Sequence, residues 1–138
     1  MNPTIAGGCA CGAIRYRCLS PPLFLLNCHC LDCQRQSGAA FASGLIVALA
    51  DLTIEGEVRW YESKANSGHM ARRGFCPSCG SQLFAESVRP GNHVSSIRSA
   101  SLDDSTWFKP QADIFTRSAQ PWVTLDPTIP KFDTTPQP

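Results

Sequence analysis

The chain has 138 residues, 43% of them hydrophobic and 17% charged, and a formal net charge of +1. That length suits one domain around one modest core, and the near-neutral charge supplies no broad basic field for nucleic acid or an anionic membrane. No segment approaches the roughly 20 apolar residues of a membrane helix, and the opening MNPTIAGG lacks a basic stretch followed by an apolar run. The expectation is a cytoplasmic protein with neither nucleic acid nor membrane as a partner.

GGCACG (7–12) sets two cysteines between glycines. AIRYRC (13–18) then alternates apolar and charged residues, which predicts a half-buried strand. Ile14, Tyr16 and Cys18 share one face of it, and Arg15 and Arg17 the other. After Pro21 and Pro22, LFLLN (23–27) is a short apolar run suited to a buried strand leading into NCHCLDCQRQSG (27–38). LDCQRQSG predicts one helical turn ended by Gly38. AFASGLIVAL (40–49) reads as a strand, although periodicity alone does not separate it from a buried helix. EGEVRWYES (55–63) predicts a turn and a strand, and GHMARRGF with CPSCGSQLFAES predicts two strand arms around a tight cysteine turn. HVSSIRSASL (93–102), anchored by Val94 and Ile97, and DIFTRS (113–118) are further candidate strands. No helical period is sustained for three turns, so the fold class is mainly β, built from short strands. The tail TLDPTIPKFDTTPQP carries Pro127, Pro130, Pro136 and Pro138 and resists regular structure. Leu125, Ile129 and Phe132 could pin its first half, with mobility expected beyond Asp133. The layout is a single domain over 1–123 and a Pro-rich tail over 124–138, partly extended or disordered.

Eight cysteines are many for this length. In a reducing compartment clustered thiols point to metal or catalysis rather than disulfides. GFCPSCGS (74–81) has the pattern of a zinc knuckle, a tight turn that aims two sulfurs at one point, with Gly80 free to take positive φ. Cys9 and Cys11 offer two more thiols. In an extended segment side chains two apart project to the same side, with Ala10 pointing away. The simplest assignment is a closed structural zinc site of Cys9, Cys11, Cys76 and Cys79, tying the start of the chain to its middle. Arg72 and Arg73 could offset its negative charge, although an ordinary solvated pair is the favoured reading. Cys28, Cys30 and Cys33 remain, with Cys18. Either Cys18 completes a second closed site, or the trio binds zinc with an open position and Cys18 is a core residue. The face it shares with Ile14 and Tyr16 favours the second account. His29, between Cys28 and Cys30, should face the other way, and His69 and His93 are better suited to surface or core than to metal. For Asp32, facing solvent or capping a helical turn is favoured over acting as a base.

GGCACGAIRY, CHCLDCQRQSG, GFCPSCGSQLF, SLDD and SAQPW occur in that order. Through these segments the chain resembles the glutathione-dependent formaldehyde-activating enzyme family, which includes centromere-protein-V-like members. The resemblance implies a β-tent of short antiparallel sheets stapled by zinc. It implies a structural zinc at Cys9, Cys11, Cys76 and Cys79 and a second zinc at Cys28, Cys30 and Cys33, with Cys18 outside both. The implied activity is that of a carbon–sulfur lyase, forming and cleaving S-(hydroxymethyl)glutathione from glutathione and formaldehyde. The chain departs from the family pattern at Gln34 and Arg35, where two basic residues are frequent, and at Asp113, where a histidine is common.

Two functions of different classes follow. The first is a zinc-dependent lyase-like enzyme with Cys28, Cys30 and Cys33 as its catalytic centre. It would bind a thiol such as glutathione at the open zinc and add or release a small aldehyde. Its cofactors would be two zinc ions, the second labile, with glutathione or another thiol as co-substrate. A cation favours thiolate and acts as a Lewis acid; three thiolate donors temper that acidity, so thiol activation is the larger effect. Arg35, Arg72 or Lys64 could meet the carboxylates of glutathione. The alternative is a non-catalytic zinc-stabilised protein-binding module, favoured by the lack of any Ser/His/Asp arrangement.

Overall fold

The computed structural model describes residues 4–65 and 68–136; Pro138 and the first three residues of the opening segment lie outside the described residues. Ten strands and one short helix follow in order: β1 (Ile5–Gly8), β2 (Arg15–Cys18), β3 (Phe24–Cys28), α1 (Leu31–Ser37), β4 (Ala42–Ala48), β5 (Leu52–Glu55), β6 (Arg59–Lys64), β7 (Met70–Phe75), β8 (Gln82–Ser87), β9 (Val94–Arg98) and β10 (Ala112–Ile114). The mainly β fold class is therefore what the structure shows. AFASGLIVAL resolves to a strand rather than a helix. DIFTRS is a strand only as far as Ile114; Phe115 turns into the left-handed region at φ 55° and a 3-10 turn follows over Thr116–Ser118. Strands β1 and β5 were not anticipated. Each has four residues, too few for period two to stand out, and β1 contains two glycines. Gly7 is there for space: a Cβ would sit 2.1 Å from the Ser101 carbonyl oxygen and 2.5 Å from the Tyr16 hydroxyl.

Strands β1-β2-β5 form a small antiparallel sheet, and β10-β3-β4-β9-β8-β7-β6 form a seven-stranded one, antiparallel except where β10 runs parallel to β3. In the large sheet Leu45, Ile97 and Phe84 sit side by side across β4, β9 and β8, and Ile46, Ser96 and Ala85 sit side by side one position along. Because strand side chains alternate, the two rows face opposite sides. The first row packs with Ile5, Ile14, Tyr16 and Cys18 of the small-sheet region to make the main core. Burial of these apolar groups is the chief stabilising term. The second row lines a cavity on the opposite face.

The tail is tied to β10. Asp113 N–H donates to the Pro130 carbonyl, Phe132 N–H to Asp113, Thr116 N–H to Phe132, and Phe115 N–H to Thr134, all within 2.9–3.1 Å. Phe132, as expected, pins the segment, packing against the cluster of Cys28, Cys30 and Cys33. Contacts do not stop at Asp133, since Thr134 is hydrogen-bonded and Thr135 lines the cavity. No helix among the described residues is long and apolar enough to cross a membrane.

Candidate metal centres

Cys9, Cys11, Cys76 and Cys79 come together in one group whose sulfurs all lie within 4.8 Å of one another. Cys9 and Cys11 converge for a different reason from the one expected. They sit on a turn rather than an extended segment, closed by the Gly12 N–H to the Cys9 carbonyl at 3.2 Å. The Cys9–Cys11 and Cys11–Cys76 sulfurs are 3.6 and 3.7 Å apart. Tetrahedral ligation at about 2.3 Å per Zn–S bond puts sulfurs about 3.8 Å apart, whereas a disulfide needs about 2.05 Å. The spacing thus fits a shared metal ion and excludes a bridge; all eight cysteines are free. Backbone amides point at the sulfurs, from Ile14 to Cys9 at 3.2 Å and from Ser78 to Cys76 at 3.4 Å. The Ser81 hydroxyl accepts from Ala10 N–H at 2.9 Å and faces Cys79 Sγ at 3.2 Å, so it joins the two turns. With the Ser81 and Cys11 amides it pulls the Cys79 thiol down to about 5. Such donors favour thiolate, the form that binds metal.

Cys28, Cys30 and Cys33 form the second group, all three buried. Cys28 ends β3, Cys30 follows in extended conformation at the N-cap of α1, and Cys33 lies in the helix's first turn. Alternation aims Cys28 and Cys30 to one side, and the helical turn brings Cys33 round to meet them. Cys33 N–H donates to Cys30 Sγ at 3.2 Å, so a thiol takes the place of the usual Ser or Asp cap. Gly38, at φ 68°, closes the helix as expected. Hydrogen bonds from Cys28 and Cys30, and then the charges of Arg98 and Arg73, hold the Cys33 thiol well below its ordinary range. Three sulfurs that readily concentrate negative charge are the donor set a thiophilic cation requires.

No other His, Cys, Asp or Glu among the described residues joins this group. Cys18 is a core residue of the small sheet. His29 turns away, as expected: its Nε2 meets Asp113 Oδ1 at 2.9 Å and its ring packs on Phe41 at 4.9 Å. His69 and His93 belong to neither cluster. The trio lies in the wall of a cavity of about 280 Å³ whose lining is mostly apolar, with Leu26, Ile46, Val94, Ile114 and Phe115. Asp32, Glu86, Arg73 and Arg98 also line it.

Several assignments change here. Arg73 does not serve the four-cysteine group and is not solvated; it is buried, with Nη2 4.0 Å from Cys33 Sγ. Arg72, one position earlier on β7, faces the other side, where it pairs with Glu86 at 2.8 Å and lies over Trp60 at 4.0 Å. Asp32 faces the cavity, and the capping role it was given belongs to Cys30. Arg35 and Lys64 line a shallow depression that shares Asp32 and Arg73 with the cavity. Arg98, Phe115 and Thr135 were missed, since nothing local marks them. Gln34 departs from the family pattern for a visible reason: its amide donates to the His29 and Ser118 carbonyls at 2.7 and 2.9 Å and accepts from Gln120 at 2.6 Å. It locks the trio's loop to the chain after β10.

A mainly β fold that gathers distant cysteines into two clusters able to hold metal ions defines a thiolate metal-site protein. Residues 4–118 match a family described as glutathione-dependent formaldehyde-activating enzyme, and the chain belongs to that family. Among solved structures, the crystal structure of a Rhodobacter sphaeroides protein, a Northeast Structural Genomics target, is similar at TM-score 0.56 and 20% identity. The match covers 92% of this chain and 99% of that one; at such identity it speaks for the fold alone.

Proposed function

We propose that the chain is a zinc-dependent carbon–sulfur lyase of the S-(hydroxymethyl)glutathione synthase type, built as a β-tent. Cys9, Cys11, Cys76 and Cys79 would hold a structural zinc, and Cys28, Cys30 and Cys33 a second, catalytic one. One observation carries this reading: the three-sulfur group opens onto a cavity with no fourth ligand from the described residues, while the other group supplies four. Structural zinc sites are closed, and catalytic ones keep a position for substrate. Zinc bound at the trio supplies a cation that favours the thiolate form of an incoming thiol and attracts an aldehyde oxygen.

The chain's own residues do the rest. Sulfurs from β3, the N-cap and α1 are rigidly presented, because Gln34 ties their loop down and Phe132 packs against them. The apolar lining keeps bulk water from the adding thiol and strengthens local electrostatics. Joining thiol to aldehyde makes one C–S bond, breaks the C=O π bond and moves one proton from sulfur to oxygen. Asp32 is the cavity carboxylate available for that proton, since Glu86 is held by Arg72. The test is exchange spectroscopy of glutathione with formaldehyde. Zinc-loaded protein should accelerate adduct formation and cleavage, and Cys30→Ser, with the four-cysteine zinc retained, should not. If wild type and Cys30→Ser are equally inert, the protein-binding module is the better account.

A further inference from the structure

Two cations beside the trio are not needed by formaldehyde. Arg73 on β7 and Arg98 on β9 both line the cavity and are only 6% and 9% exposed. A buried guanidinium without an anionic partner is costly, yet neither has a carboxylate within ion-pair distance among the described residues. Their neighbour Arg72 has one, Glu86. Arg73 Nη2 reaches Cys33 Sγ at 4.0 Å, and its buried Nε has no hydrogen-bond partner. Nε and Nη2 are adjacent donors on one edge of the guanidinium, the edge suited to side-on contact with a carboxylate. One of them already touches a sulfur of the trio. An acceptor completing that edge therefore lies close to the sulfurs, inside an otherwise apolar chamber.

We propose that Arg73 and Arg98 form a carboxylate subsite, so that the guest carries a carboxylate within about two bonds of its sulfur–carbon bond. This rests on the thiol-accepting reading of the trio given above. The carboxylate has two possible sources. It could belong to the thiol, as in a short mercaptocarboxylic acid, or to the aldehyde, as in a 2-oxo acid of the glyoxylate class. In the second case the thiol S–H adds across the aldehyde C=O to give a 2-hydroxy-2-thio acid. A C–S bond forms, the π bond breaks, the proton passes from sulfur to oxygen, and nothing is oxidised. Formaldehyde and a neutral thiol would leave both arginines without an anion.

The experiment uses whole protein with cobalt(II) at the trio and reads the sulfur-to-metal charge-transfer absorption. Mercaptoacetate, 2-mercaptoethanol and cysteamine are titrated in turn. Mercaptoacetate is expected to bind about tenfold tighter than 2-mercaptoethanol, the order of one charge-assisted contact. Arg73→Met should reduce that preference to within about twofold, and Arg73→Lys should keep part of it. Arg98→Met is the second variant if Arg73→Met does not fold. Equal affinities for the three thiols, or a preference that survives both methionine variants, overturns the subsite but leaves the open site standing. No spectral response to any thiol sinks the thiol-accepting reading itself. Turnover of glutathione with glyoxylate against formaldehyde separates the two sources: faster reaction with glyoxylate places the carboxylate on the aldehyde, and selectivity for mercaptoacetate alone places it on the thiol.

Discussion

His29 Nε2 and Asp113 Oδ1 meet at 2.9 Å in a contact where both side chains are almost wholly buried, 1% and 3% exposed. His29 lies between two cysteines of the trio, and Asp113 is the centre of the edge strand β10. Asn27 also reaches Asp113, at 3.3 Å, and Lys131 from the tail does so at 3.4 Å. One carboxylate thus joins the trio's loop, the sheet edge and the tail. Asp113→Ala would strand the His29 and Asn27 donors in the interior. The expected loss is about 2 kcal/mol or more, since an unmade buried hydrogen bond forfeits the desolvation of its partner. Asp113→Asn keeps an accepting oxygen and should lose less. Urea midpoints at unchanged slope measure both.

The two metal sites should part company under a chelator. Wild type is expected to bind two zinc ions, with mild chelation removing one while the fold persists. Cys30→Ser should retain one zinc and its circular dichroism. Cys76 is fully buried in the main core and shares its site with Cys9 and Cys11, so Cys76→Ser should lower the melting temperature sharply. Metal analysis before and after chelation, beside thermal melts, checks both outcomes.

Phe132 should matter to the trio although it is over a hundred positions from Cys28 in the chain. It is half-buried against the cluster, and Phe132→Ala should cost about 2 kcal/mol, less than the 3–5 of a fully buried ring. Its second signature is local. The zinc removed first by chelator should leave faster, while the four-cysteine zinc is unchanged. A metal-sensitive dye reads the two release phases.

Tyr16 sets the alkaline limit. Burial, with the Ser101 contact working against it, pushes its hydroxyl up to about 12 from an ordinary value of 10.0. The folded state then holds its proton where the unfolded chain has released it. That contribution is whole below about pH 10 and is lost as the pH rises through about 12. Tyr16→Phe removes the hydroxyl's bond to Ser101 at 2.6 Å, costing about 1 kcal/mol at neutral pH. The gap between variant and wild type should close at high pH, as guanidinium unfolding at about pH 8 and pH 11 would show.

Much of the site could be read before any tertiary structure. The C-P-x-C-G turn, the trio and the Gly38 helix stop are local arrangements, in which a few consecutive residues define the geometry. Cys18 was placed in the core by its strand face, and His29 was turned from the trio by alternation. Other readings failed for want of long-range contacts. Arg72 and Arg73 are adjacent letters on opposite faces of β7, and only the pairing of β7 with β6 and β8 shows which face holds the cavity. Strands of four residues carry too little pattern to be seen. A Pro-rich tail looks free until the backbone groups at 113–116 claim its carbonyls.

Amino-acid order alone determined which thiols belong together within each short segment, because ligand spacing inside a turn depends on neighbouring dihedrals. It also determined the mainly β character, through alternation that a strand imposes on its own side chains. Tertiary structure decided which segments meet. Cys11 and Cys76 are 65 positions apart yet 3.7 Å apart in space, and Arg73 and Arg98 converge beside Cys33 from separate strands. Such meetings follow from sheet register and packing, which depend on contacts across the whole chain, and no local window contains them.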